Sequence, residues 1–408
     1  MAPPASLRAQ SGAALPPGAG GGAGGRRPLL GGFGRLARGA GRGGRALKLS
    51  AILVHYQTPA LAERAVAALD EDASASGLEL EILLVDNGCD AGERRRLEAL
   101  PARYLDAGGN RGYAGGANLG IAAATGDALL VMNPDVLVLP GCLARLAAEL
   151  EGGAAAAGPR FFWDEKRTFL LPPAEERSFA AELLAVLARR GGGWARRGRR
   201  RWRRHARRHW LAPRPLPSHA LSGALLALRR DAVERIGAFD ESYRLYFEET
   251  DWLWRLRRRG LEARYVPAAE AVHLYARSTA GEPRARAWFE DSARRFRRRA
   301  YGALGNRLLE ALSRRLPPVE AQRNPPSSPP RPRASGDLWL EVAGSPTGYP
   351  AAGHRLSPTA AANPDHLLPA IAARLPAGRY LLRLVAGERE IVEWAIGLDQ
   401  KRSPSPLA

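Results

Sequence analysis

The sequence predicts an α/β fold, a mainly parallel sheet with helices between its strands, followed by a small C-terminal β domain. Three observations carry this. Apolar strand-type runs alternate with helical stretches from Leu49 to Ala157, the pattern of a sheet with crossover helices. Two of those runs stop at an acid in a turn: Ile82 to Val85 before Asp86-Asn87-Gly88, and Leu129 to Met132 before Asn133-Pro134-Asp135. A proline-rich stretch then separates this region from a last set of alternating runs. Open α/β sheets bind ligands at their carboxyl edge, so Asp86 and Asp135 mark one crevice, Asp86 for a nucleoside and Asp135 for a metal.

In chain order, residues 1–47 are rich in Gly, Ala, Pro and Arg and are expected to be disordered, because such a segment cannot bury enough surface to fold. The α/β domain is assigned to 48–316. It opens with the strand Leu49 to Val54, then a helix with Thr58 as N-cap and Pro59 at its first position, reaching about Leu69. Leu80 to Val85 is the next strand, a short helix follows around Glu93 to Leu100, and a brief strand lies near Tyr104. The glycine-rich stretch from Gly108 runs into a small-residue helix, and after Leu129 to Met132 come a helix from Gly141 to Leu150 and a strand from Ala154 to Ala157.

Residues 164–220 lose the pattern and hold an arginine-dense insertion, 186–210, broken by Trp194 and Trp202. Order returns at Leu221 to Leu228. The helix Glu249 to Arg259 has acids in its first turn, arginines in its last and Gly260 as a stop, all suited to its dipole. A strand near Tyr265, the segment Val272-His273-Leu274 and basic helices to about Leu316 complete the domain. Residues 317–336 form a proline-rich linker, 337–400 a β module with strands at 338–342, 380–385 and 390–396 and a turn at Ala386-Gly387, and 401–408 a tail.

Of the 408 residues, 45% are hydrophobic, and no apolar run approaches the length of a membrane span. Cys89 and Cys142 are the two cysteines, which excludes a disulfide framework and fits a reducing cytoplasm. The net charge of +20 invites a nucleic-acid partner, yet Lys48, Lys166 and Lys401 are the only lysines. Basicity supplied almost wholly by arginine matches a coding bias, with an anionic substrate or membrane surface as the next reading and nucleic acid the least favoured.

Three places carry chemistry. The loop with Asn110, Arg111, Gly112, Gly115 and Gly116 could bring backbone to a phosphate or simply make a turn; its spacing is not a dinucleotide fingerprint. Asp135 suits a hard divalent cation that keeps positions open for phosphate oxygens, with His273 as second ligand; each reads equally as a structural residue. Glu248, Glu249 and Asp251 open a helix behind Tyr246-Phe247. They are dipole complements, or, with water reduced by the aromatic approach, a source of a general base.

Val85-Asp86-Asn87, then NRGYAGGANLGI (Asn110 to Ile121), then Asn133-Pro134-Asp135, then LSGALLALRRDAVERIGAFDESYRLYFEETDWLWRL (Leu221 to Leu256) resemble family 2 glycosyltransferases, with the rhamnosyltransferase-like branch nearest. The likeness spans about Leu49 to His273. It implies a GT-A fold, a nucleotide-diphospho-sugar donor (UDP- or dTDP-linked), inversion at the anomeric carbon and Mg²⁺ or Mn²⁺. It places His55, Tyr56, Asp86, Asn110, Arg111, Gly112, Asn118 and Asn133 at the donor, Asp135 and His273 at the metal, and Glu249 as base, with Asp251 as alternate base or support. Two departures stand out: the base is Glu in a Glu-Glu pair where the family has Glu-Asp, and Asn133 replaces the first acid of the metal motif. The implied acceptor is a glycan or lipid-linked hydroxyl in cell-surface polysaccharide synthesis in a bacterium, with the protein cytoplasmic or peripheral on the inner membrane face. The rival readings are a nucleotidyltransferase, disfavoured because His55-Tyr56-Gln57-Thr58 stands after the first strand in place of a glycine-rich loop with Lys or Arg, a basic nucleic-acid-binding protein, and a noncatalytic relative of the family.

Overall fold

The computed structural model describes residues 47–274, 284–316, 336–345, 348–357, 367–372, 375 and 378–398. The disorder expected before residue 47, the linker up to residue 335 and the 401–408 tail lie outside the described residues.

Strand β1 (Leu49–His55) is buried along its whole length. Leu49, Ala51 and Leu53 face one core, Ile52 and Val54 the other, which is why, Ser50 apart, it reads as an apolar run and not an alternating one. Helix α1 (Pro59–Ser76) outlasts its expected end, stopping only at left-handed Gly77. Its last turns hold Asp72, buried because its carboxylate accepts the backbone N–H groups of Gly141 and Leu143. Those residues begin α4 (Cys142–Glu151). Between them come β2 (Leu80–Asp86), α2 (Ala91–Glu98) with an Asp90/Glu93 capping box, β3 (Arg103–Asp106), α3 (Gly112–Ala123), β4 (Ala128–Met132) and β5 (Val136–Val138).

The chain continues with β6 (Ala156–Phe162), α5 (Phe179–Ala188), α6 (Gly192–Trp210), β7 (Leu216–Pro217), β8 (Leu225–Arg229), α7 (Arg230–Ile236), α8 (Glu248–Arg258), β9 (Ala263–His273) and α9 (Ala285–Arg315), which breaks at Gly302. The sheet order is β3-β2-β1-β4-β8-β6-β9-β5, with β7 on β9. Its β3-β2-β1-β4 half is parallel throughout; β8 enters antiparallel to β4 and β6. The glycines of α3 serve packing: a Cβ at Gly116 would come 2.7 Å from Val54 Cγ1, and one at Gly120 would strike Ile52.

The C-terminal unit is an antiparallel sheet, β11-β10-β12-β13, from β10 (Leu338–Ala343), β11 (Ala352–Leu356), β12 (Gly378–Ala386) and β13 (Arg389–Leu398), with a short α10 (Leu368–Ala372). Leu340, Leu382, Leu384 and Trp394 form its core with Phe169 of the α/β domain.

The arginine-dense insertion is not patternless. It is α6, and one face of it holds the C-terminal sheet. Trp210 stacks on Trp339 at 5.3 Å, Trp202 is buried beside it, and Arg203 makes a fork with Glu341, whose other contact is Arg383 at 3.2 Å. All three charged groups are buried. Removing the central carboxylate leaves the two buried guanidiniums only the more exposed Glu390, 3.2 Å from Arg203, and Glu393, 3.6 Å from Arg383, so Glu341→Ala is expected to cost about 3–5 kcal/mol in chemical denaturation.

Candidate active site

Beyond β4 the chain turns at Pro134 and forms β5, which pairs antiparallel with β9 so that Val136 stands opposite His273. The Leu274 N–H donates to the Asp135 carbonyl at 2.8 Å. This register brings His273 Nε2 within 3.4 Å of Asp135 Oδ1. Asp135 is fully buried, and neither carboxylate oxygen accepts a hydrogen bond. Buried polar atoms are almost always paired, and a carboxylate left this way beside an imidazole fits a divalent cation. Among the described residues no third His, Cys, Asp or Glu completes the set. The residues therefore fit an ion that takes its remaining ligands from water and a bound diphosphate.

The acids come from α8. Tyr246 and Phe247 both hold left-handed backbone, φ 65° and 72°, a strained pair for non-glycine residues. Phe247 is fixed by Phe289 and Phe296, with centroids at 5.3 and 5.7 Å. The turn aims Glu248 and Glu249 into the cleft. Burial raises both carboxyl pKa values, and the neighbouring Glu249 charge raises Glu248 further. Thr250 Oγ1 donates to Glu249 Oε1 at 2.9 Å. Gly223 leaves room for this side chain, since a Cβ there would lie 3.0 Å from Glu249 Cγ.

One cleft of about 1320 Å³ is lined by Asn133, Asp135, His273, Glu248, Glu249 and Tyr113. Tyr113, which sequence reasoning passed over inside the glycine-rich motif, donates its hydroxyl to the Gly223 carbonyl at 3.2 Å. Burial, then the charges of Glu248, Glu249 and Asp135, push its phenol well up; the three acids converge on it. A base must be deprotonated to act, so kcat/KM is expected to fall as pH drops through a pKa above the ordinary glutamate value. A pH–rate profile checks this.

Asp251 faces elsewhere. Its carboxylate is buried in ion pairs with Arg255 at 2.8 Å and Arg299 at 3.1 Å, and Tyr243 approaches at 3.4 Å. These contacts suit a supporting residue.

Of the residues expected at the donor, Asn133 lines this cleft; His55, Tyr56, Asp86, Asn110, Arg111, Gly112 and Asn118 do not, and His55 and Asp86 stand side by side at the ends of β1 and β2. Two strand spacings, about 10 Å, separate the end of β2 from that of β4. His55 Nε2 accepts the Thr58 N–H at 2.8 Å, and burial lowers its pKa, so the ring is neutral. Asp86 is 1% exposed. Burial pushes its carboxyl up, but hydrogen bonds from Cys89, Tyr104 and Gly88 carry it below the usual value. Both oxygens accept hydrogen bonds within the protein, from the Gly88 N–H, Cys89 and Tyr104, which organises this turn. Tyr56 is half-buried, with its ring beside Gly88.

The glycine loop is held by Asn87, absent from the expected set: it accepts the Arg111 N–H at 2.9 Å and donates to the Gly112 carbonyl at 3.0 Å. Asn110 Oδ1 accepts the Gly112 N–H, and Arg111 Nε donates to Ala107. Gly112, at φ 75°, admits the Arg244 carbonyl where a Cβ would sit. Asn118 ties α3 to the 239–241 loop: its amide donates to the Phe239 carbonyl and to Glu241 and accepts the Phe239 N–H, all at 2.9–3.0 Å.

The pattern of Glycosyl transferase family 2 matches residues 50–237. A relative named N-acetylglucosaminyl-diphospho-decaprenol L-rhamnosyltransferase, from Mycobacterium tuberculosis, is 32% identical over 250 residues, covering 58% of this chain and 78% of its own. A low-salt glycan biosynthesis hexosyltransferase from Haloferax volcanii is 24% identical over 198 residues, 47% of this chain and 58% of its own. The solved mannosyltransferase from Pyrobaculum calidifontis, in complex with GDP-Man and Mn²⁺, shows 16% identity and a TM-score of 0.42 over 67% of this chain and 74% of that one. From the first of these relatives and the family pattern together, the chain belongs to glycosyl transferase family 2.

Proposed function

We propose that the protein moves a sugar, rhamnose being the leading candidate, from a nucleotide-diphospho-sugar to a hydroxyl of a lipid-linked glycan, with inversion. The observation that carries this is the buried Asp135 carboxylate, without a hydrogen bond, in the same cleft as a glutamate whose proton affinity is raised. Glu249 takes the proton of the acceptor hydroxyl. The hydroxyl oxygen bonds to the anomeric carbon from the face opposite the diphosphate, and the breaking bond leaves its electron pair on the diphosphate. Asp135 and His273 would hold Mg²⁺ or Mn²⁺, which when bound neutralises charge on the departing phosphates. Tyr113 and Gly223 keep the wall beside Glu249 fixed.

The name of the mycobacterial relative supports an acceptor sugar carried on a lipid diphosphate, and we take N-acetylglucosaminyl diphosphate lipid as the first acceptor to try. No helix among the described residues is long and apolar enough to cross a membrane. The outer face of α6 exposes Arg196, Arg197, Arg200, Arg201, Arg204 and Arg208, and Trp194 is 44% exposed at its start. Against anionic lipid each arginine contributes about 1 kcal/mol, which supports peripheral association. Flotation with anionic vesicles is expected to show binding at low salt that fades as salt rises; no binding at low salt removes this surface from the account. The function itself is tested by a panel of UDP-, dTDP- and GDP-sugars with Mn²⁺, scored by acceptor-dependent release of nucleotide. Release from at least one donor is expected, and release from none rejects the reading.

A further inference from the structure

Past Glu249 the cleft continues between α5 and α9 to Ser345 and Tyr349 of the C-terminal unit. This arm is rich in arginine, and several of its charges are matched: Arg257 with Glu176, Arg297 with Glu182, Arg294 with Glu310 at 3.4 Å. Arg177 stands out by its place beside the acid-bearing turn. Its guanidinium lies over the Phe247 ring, 5.2 Å from the centroid, and no carboxylate among the described residues pairs with it. It lines the cleft half-buried, on the same wall as the turn that delivers the base. Its charge reaches Glu249 and partly opposes the effect of burial there.

A guanidinium placed over an aromatic ring, with donors not spent on a carboxylate, suits a phosphate. The acceptor hydroxyl must lie at Glu249, and on a hexose the anomeric substituent lies one ring away from that hydroxyl. We propose that Arg177 forms an anion subsite for the phosphate attached to the acceptor sugar, so that this enzyme selects phospho-linked acceptors over neutral glycosides. The inference rests on the transfer reaction proposed above and names the group that its acceptor arm reads.

The test compares two acceptors bearing the same sugar and alkyl chain, N-acetylglucosaminyl diphosphate alkyl ester and the neutral alkyl N-acetylglucosaminide. Wild type is expected to favour the diphosphate in kcat/KM. Arg177→Gln is expected to shrink that preference by about 10–100-fold, the worth of a hydrogen bond to a charged group, and Arg177→Lys to restore part of it. Loss of the Arg177 charge also shifts the Glu249 limb of the pH profile upward, but it does so with both acceptors. The ratio therefore isolates the phosphate contact. An unchanged ratio in both variants overturns the subsite. If the glutamine variant does not fold, the lysine variant and competition of the wild-type reaction by methyl diphosphate, expected against the charged acceptor and donor-independent, decide alone. Transfer by wild type to neither acceptor, with nucleotide still released to some other one, would reject this acceptor class and the subsite with it. No nucleotide release from any donor would instead reject the transfer reaction.

Discussion

Glu249→Gln is expected to lose about 10²–10⁴ in kcat, the usual contribution of a positioned general base, while donor affinity stays near that of the wild type. The amide has the shape of the carboxyl and can still accept the Thr250 hydroxyl at its oxygen, so the wall of the cleft is preserved and only proton acceptance goes. Steady-state kinetics with calorimetric donor binding separate the two. The informative partner is Asp251→Asn. Its carboxylate is occupied by Arg255 and Arg299, so this change is expected to lower stability and leave turnover per folded molecule largely intact. Turnover preserved in the Glu249 variant and abolished in the Asp251 variant would reverse the assignment.

Asp135→Asn is expected to reduce turnover by at least about 100-fold, the scale of several kcal/mol of charge stabilisation on the leaving group. It should also abolish nucleotide-dependent Mn²⁺ binding measured by electron paramagnetic resonance. The same variant is expected to unfold at a temperature no lower than wild type in metal-free buffer. A buried carboxylate whose oxygens accept no hydrogen bond costs stability, and that cost is removed with the charge. A residue kept only for structure would behave in the opposite way, with activity per folded molecule kept and stability lost.

The sheet was legible because its strands are covered on both faces: Leu49 to Val54 is apolar at every position but Ser50 for that physical reason, and the turns at Asp86 and Asp135 mark the carboxyl edge. What brings Asp135 to His273 was not legible. β5 is three residues long, too short for a periodicity to appear, and its pairing with β9 is a long-range choice. The period of α6 was present in Trp202, Ala206 and Trp210, all buried on one face, but the weight of arginine hid it, and its ion partners Glu341 and Glu390 lie in another unit. The hold of Asn118 on the 239–241 loop was not legible either, because its partners there are backbone groups and one carboxylate, which no motif records. The acid pair at Glu248-Glu249 could be read as functional, but the left-handed Tyr246-Phe247 turn that aims it could not.

The configuration of the product at its anomeric carbon tests the central claim most directly. On the proposed reading, Glu249 as base facing a diphosphate held on the Asp135 side of the cleft permits a single displacement. Nuclear magnetic resonance of the purified product should therefore show the configuration opposite to that of the donor. Retention of the donor configuration would contradict the account, since it requires a second displacement for which this cleft has been assigned no nucleophile.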